Sequence, residues 1–302
     1  MTMVRDKPDN MEKTQTPGRV MFLDGQGELP MIGISTMWSS AEVYLQGAHI
    51  TNFRKHNEPP LTFMSQCSRF TQGQPIRGGV PVVFPWFGMR EGMGNHGFAR
   101  VQTWELKEFA PAPDGSVSVR FRLPDCPEAS SYPPFTADYV VTVSDGLTLQ
   151  LIVSNQAAED SLTFENCFHT YFAVSDITSV SIVGLKEGSY LDKVANFVQR
   201  IQTEDALRIS SETDRIYLNT AGPLELHDPR LGRKILIEKQ GSNSTIVWNP
   251  WIARSQQMPD FGNDEYQRMV CIEVGNVSSN EITLAPGRTS TLTARITSHP
   301  LG

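Results

Sequence analysis

Nowhere does this chain reach the roughly 18 consecutive apolar residues that a membrane-spanning helix needs, so no membrane partner is expected. Cysteine is scarce. The four, Cys67, Cys126, Cys167 and Cys271, lack the C-x-x-C spacing of loop-borne zinc sites and fit reduced thiols in a cytoplasm. Cationic excess is missing too: 26 Lys and Arg stand against 33 Asp and Glu, a net charge of −7, which argues against a surface that tracks nucleic acid. The amino terminus has no apolar signal stretch, and residues 1–18 read as a disordered lead-in to a cytoplasmic protein. Also lacking are a repeat, a low-complexity linker and any helical period beyond two or three turns. Residues 19–302 therefore read as one domain, expected as a monomer.

What the chain has is a period of two. Val117, Val119, Phe121 and Leu123 alternate with Ser118, Arg120 and Arg122; Leu147, Leu149, Leu151 and Val153 alternate with Thr148, Gln150 and Ser154. Each set puts its apolar residues on one face of a strand. Asp145-Gly146 between Val143 and Leu147 supplies a hairpin turn. Further strands are expected at Glu42–Leu45, Val101–Leu106, Ser179–Val183, Lys234–Ile237, Ser244–Trp248 and Thr289–Ile296. Many short strands without long intervening helices predict an all-β class, an antiparallel sandwich or barrel.

Two of the strand-like runs carry acid-base groups. His169 lies in Thr163–Phe172 and Glu273 in Arg268–Asn276, each among apolar neighbours where a bare charge is costly. If both runs are strands, Glu165, Cys167, His169 and Tyr171 share one face and Cys271 and Glu273 share another. The bland alternatives are a core histidine bonded to a backbone carbonyl and a glutamate paired with Arg268. Cys167, His169, Cys271 and Glu273 also admit a zinc reading should the strands meet, with buried free thiols as its plainer rival. In Arg77-Gly78-Gly79 the glycines permit close backbone approach, and Trp86 with Phe87 offers flat surface for a sugar ring or for packing. Arg100, read as standing at a strand entrance, suits a phosphate, a carboxylate or a surface ion pair. Asp214 can take sugar hydroxyls or pair with Arg215.

Taken in order, Ile76-Arg77-Gly78-Gly79-Val80-Pro81-Val82-Val83-Phe84-Pro85-Trp86-Phe87-Gly88, His96-Gly97-Phe98-Ala99-Arg100, Phe168-His169-Thr170-Tyr171-Phe172, Thr213-Asp214-Arg215 and the Glu273 segment resemble the glucose-6-phosphate 1-epimerases, or hexose-6-phosphate mutarotases. The resemblance spans nearly the whole chain beyond the lead-in. It implies a galactose mutarotase-like β-supersandwich that interconverts the α and β anomers of a hexose 6-phosphate, a small-molecule partner, with no cofactor and no metal. By resemblance His169 is the general acid, Glu273 the general base, and Arg77, Asn95, His96, Arg100, Asp214 and Trp86 surround the substrate, with Arg77 and Arg100 on the phosphate. Adjacent opposite charges should then raise the imidazole pKa and lower the carboxyl pKa, giving a pH optimum near neutrality.

Overall fold

A computed structural model of the chain describes residues 18–302; the expected lead-in of residues 1–18 lies, but for its last residue, outside the described residues. Most strands among the described residues belong to three antiparallel sheets. Four strands from Arg19–Asp24 to His49–Lys55 form a meander in chain order. A nine-stranded sheet is built around the long neighbours Phe135–Val143, Leu147–Asn155, Thr289–Pro300 and Arg233–Gln240. An eight-stranded sheet has Met269–Asn276 near its middle, with Ser244–Asn249 on one side and Asn166–Phe168 and Tyr171–Ala173 on the other.

The period-two segments fold as their patterns dictate. Leu147–Asn155 alternates buried and half-buried residues along its length, and Val117–Arg122 does the same. Their apolar faces join the main core, where Val117, Val119, Phe121, Leu147, Leu149 and Leu151 pack with Tyr139, Phe168 and Phe172. Val143 pairs with Leu147 across a turn of Ser144, Asp145 and Gly146, so the hairpin forms where expected. Met269–Asn276 behaves differently: all eight residues are buried, as in a central strand covered on both faces. The only α-helix among the described residues is the five-residue Trp251–Ser255, and no helix there is long and apolar enough to cross a membrane.

One expected strand is displaced. The strand expected at Val101–Leu106 does not follow directly on Arg100; Ala99–Val101 is a 3-10 turn and the strand runs Glu105–Pro111. The turn is set by Phe98, whose carbonyl accepts from the amides of Val101 and Gln102.

Candidate active site

Met269–Asn276 sets the geometry. On its flank Cys167 stands opposite Gly275 and Phe168 opposite Val274, and further on Tyr171 stands opposite Cys271. One unbroken register therefore puts His169 directly across from Glu273. The hydrogen-bond ladder opens at this point: the His169 amide donates to the Pro81 carbonyl instead, while the Ile272 amide donates to Thr170. The strand-like reading of Thr163–Phe172 thus holds for pairing but not for continuity, since the run divides into Leu162–Phe164, Asn166–Phe168 and Tyr171–Ala173.

His169 Nε2 lies 3.4 Å from Glu273 Oε1, with both side chains nearly inaccessible to solvent. The imidazole is stacked on Tyr171 at 4.8 Å and met edge-on by Trp248 at 6.1 Å and His96 at 5.4 Å. Its Nδ1 is buried without a partner. Glu273 takes its other contact from Cys167, whose Sγ donates to Oε2 at 3.4 Å. Neither bland alternative describes the pair, because the imidazole has no backbone carbonyl partner and the carboxylate is not held by Arg268.

The expected charge states are corrected by the structure. Burial pushes the His169 pKa well below 6.5, with Arg77, Arg100 and Lys193 pushing the same way. Burial pushes Glu273 well above 4.5, opposed by the Cys167 hydrogen bond. Mutual attraction would favour an ion pair, but desolvation of two buried groups outweighs it, and three nearby cations make a further positive charge on the ring costly. These shifts favour neutral imidazole facing protonated carboxyl.

Above this pair opens a cleft of about 830 Å³, within the range that takes small ligands. Arg77, Phe87, Asn95, His96, Glu165, His169, Asp214, Trp248 and Glu273 all line it. Arg77 donates to Asp260 at 3.1 Å and to the Tyr171 hydroxyl at 3.0 Å, so it is locked in place. The glycines after it let the backbone pass close to the strand that carries Ile50. Gly78 and Gly79 have φ of +117° and +61°, and a Cβ on Gly79 would lie 2.1 Å from the Ile50 carbonyl oxygen. Glu165 accepts from the Phe87 amide at 2.8 Å and the Ser278 amide at 2.6 Å, tying two segments of the cleft wall together.

Two candidates stand elsewhere than expected. Trp86 is 2 % exposed, packs edge-on against Phe98 and is absent from the cleft wall; its neighbour Phe87 and the unforeseen Trp248 provide the aromatic surface. Trp86 and Phe87 lie in an irregular segment, where the tryptophan turns into the core and the phenylalanine faces the cleft. Arg100 is also not among the lining side chains; it donates to the Asn95 carbonyl from the 3-10 turn. Burial and the nearby Arg77 pull its pKa down to about 10. Asp214 pairs with Lys193 at 2.7 Å and not with Arg215, which lies over the Tyr190 ring at 4.6 Å.

Sequence reasoning missed Lys193 and Arg254, both of which line the cleft. Lys193 comes from a 3-10 turn and Arg254 from the short helix Trp251–Ser255, segments with no periodic signal to read. Arg254 is exposed and has no carboxylate partner among the described residues, its guanidinium reaching only the Gln257 amide oxygen at 3.4 Å. His169, Cys271 and Glu273 bring ligand-type atoms within 4.8 Å of one another, so a soft divalent cation is sterically conceivable; burial opposes it by pushing the Cys271 thiol well above its ordinary pKa.

The family model described as aldose 1-epimerase matches residues 33–297. A protein of Cenchrus ciliaris assigned as a glucose-6-phosphate 1-epimerase is 30% identical over 256 residues, which cover 82% of this chain and 78% of that one. One of Escherichia coli (strain K12) with the same assignment is 32% identical, covering 84% and 85%. Among solved structures, a protein of Salmonella typhimurium assigned as a mutarotase superposes with a TM-score of 0.83 at 28% identity, covering 90% of this chain and 91% of that one.

Proposed function

The chain belongs to the aldose 1-epimerase family, and from that premise we propose that it interconverts the α and β anomers of a hexose 6-phosphate, glucose 6-phosphate foremost, using His169 and Glu273. The observation that carries this reading is the pairing of these two buried acid-base groups, 3.4 Å apart at the base of a cleft lined by Arg77, Lys193 and Arg254. A sugar phosphate needs both parts: proton transfer at the ring and cations for the phosphate.

The reaction follows from one proton shared by the pair. A phosphate dianion held by the cleft cations offsets the positive field that depresses His169, which brings the ionised pair within reach once substrate is bound. Glu273 then takes the proton of the anomeric hydroxyl while His169 protonates the ring oxygen, and the C1–O5 bond breaks to the open aldehyde. Rotation about C1–C2 presents the other carbonyl face. Ring closure reverses both transfers and releases the opposite anomer. Arg77, anchored by Asp260 and Tyr171, serves as a fixed cation; Arg100 acts from behind by holding Asn95 and adding positive field. Asn95, His96 and Asp214 face the sugar, and Trp248 and Phe87 flank it.

Saturation-transfer NMR of glucose 6-phosphate tests the reading. Wild type should accelerate anomer exchange, with or without chelator. His169→Ala should lower turnover by about 10²–10⁴-fold, the usual contribution of one positioned acid-base group. No acceleration by folded wild type, or near-normal turnover in His169→Ala, would sink it; loss on chelation would favour the metal alternative.

The phosphate preference rests on Arg254, the cleft cation with no carboxylate partner among the described residues. Arg254→Ala should raise KM for glucose 6-phosphate by roughly 10–100-fold, as expected for one lost charge-assisted contact, and barely change KM for glucose. Equal effects on both sugars would transfer the assignment to an aldose 1-epimerase of unphosphorylated sugar.

A further inference from the structure

Below the cleft floor lies a polar contact that proton transfer alone does not explain. Cys167 is fully buried, does not line the cleft, and donates through Sγ to Glu273 Oε2 at 3.4 Å. The two oxygens of Glu273 thereby face different partners, Oε2 the thiol and Oε1 the imidazole. We propose that Cys167 is a positioning residue for Glu273: its S–H fixes the carboxyl rotamer so that Oε1 stays turned toward His169 and the sugar.

The backbone is arranged for this contact. Cys167 pairs across the strands with Gly275, two residues from Glu273 on the same face, so the thiol reaches the carboxyl diagonally. Gly275 leaves the room. A Cβ there would lie 2.8 Å from the Cys167 Cβ and 2.4 Å from the Asn166 carbonyl oxygen. Gly275 is also buried, and its carbonyl accepts from the Ser242 hydroxyl at 2.9 Å, so the position is fixed from both sides. The thiol remains a donor, because burial and the neighbouring carboxyl push its pKa well above the ordinary value. A thiol that stays protonated and cannot touch the substrate acts only through Glu273. Its hydrogen bond favours the carboxylate form, and so makes Glu273 easier to ionise when the reaction calls for it.

The inference rests on the proposed epimerase reaction, and the test separates the two. Wild type, Cys167→Ala and Cys167→Ser are compared by exchange NMR across pH, with melting temperatures recorded to confirm folding. Cys167→Ala should lower kcat about 3- to 10-fold, the scale of one weak donor, leave KM unchanged, and move the alkaline limb of kcat/KM to higher pH. The sign follows from the lost donor: without it the carboxylate is less favoured and Glu273 holds its proton to higher pH. Cys167→Ser, which keeps a hydroxyl donor, should recover part of kcat and return the limb toward wild type. Wild-type kcat in Cys167→Ala, or loss of kcat in both variants with an unmoved limb, overturns the positioning role. An inactive wild type would instead strike at the reaction itself.

Discussion

Glu273→Gln should melt at a higher temperature than wild type at pH 8 while losing about 10²–10⁴-fold in kcat. The two effects share one cause. Burial raises the Glu273 pKa well above 4.5, so the folded protein resists ionising it while the unfolded chain does not. A group whose folded pKa is raised contributes stability that is complete below its unfolded value and is lost as pH rises toward the folded one. Wild type is therefore penalised progressively above pH 4.5, whereas glutamine, which can still accept from Cys167, has no such penalty. Each unit of raised pKa is worth about 1.4 kcal/mol, and each kcal/mol about 1.5–2 °C in Tm for a chain of this size. The variant's advantage should widen from pH 5 to pH 8; equal melting temperatures at both would show that Glu273 is not held neutral in the empty enzyme.

His169 has the opposite sign. Its folded pKa is depressed below 6.5, so its contribution is present above 6.5 and is lost as pH falls through the folded value. For activity the pair must hold one proton, which places the acid limb of kcat/KM below 6.5 and the alkaline limb above 4.5, as properties of the pair and not of either residue.

Gly79→Ala should be strongly destabilising. The residue sits at φ +61°, and the added carbon would meet the Ile50 carbonyl oxygen at 2.1 Å and His49 Nε2 at 2.9 Å. Its own amide and carbonyl are both in use, donating to Phe63 at 2.7 Å and accepting from Tyr171 at 2.9 Å, so the backbone cannot step aside without disturbing the strand that carries Tyr171. Left-handed strain plus a backbone collision should cost on the order of 4 kcal/mol, lowering Tm by roughly 6–8 °C or leaving the protein insoluble. Gly73→Ala is the matched control: φ is +73° but nothing lies within 4 Å, so only the conformational cost of about 1 kcal/mol should appear. Similar losses in both would mean that the collision at Gly79 is relieved by local movement.

These residues also mark what could be read from the sequence. The Val117 and Leu147 strands were legible because one face of each is buried and the other is not, which leaves an alternating trace. His169 and Glu273 stood out as polar groups inside apolar runs, and the family likeness of the surrounding motifs drew them together. Arg77 was legible through its glycines. Trp86 was not separable from Phe87, since neighbouring aromatics in an irregular segment give no sign of which turns inward. The setting of Arg100 is not legible, since nothing in Phe98–Val101 signals a 3-10 turn. Lys193 and Arg254 come from short turns whose position depends on distant strands, and their partners, Asp214 and Gln257, are ordinary surface residue types. The charge states are not legible in the sequence, because the desolvation that outweighs pairing depends on burial in the fold.

The shared register of His169 and Glu273 limits how this centre can change. Their separation is a rung of a sheet, not a loop distance, so it takes only discrete values. Sliding Met269–Asn276 by one residue would bring Ile272 or Val274 opposite the imidazole, with no intermediate spacing. Insertions and deletions in either strand should therefore behave as all-or-none lesions, while the surrounding turns that carry Lys193 and Arg254 remain free to drift. Substrate preference can diverge by small steps around a proton-transfer pair that cannot.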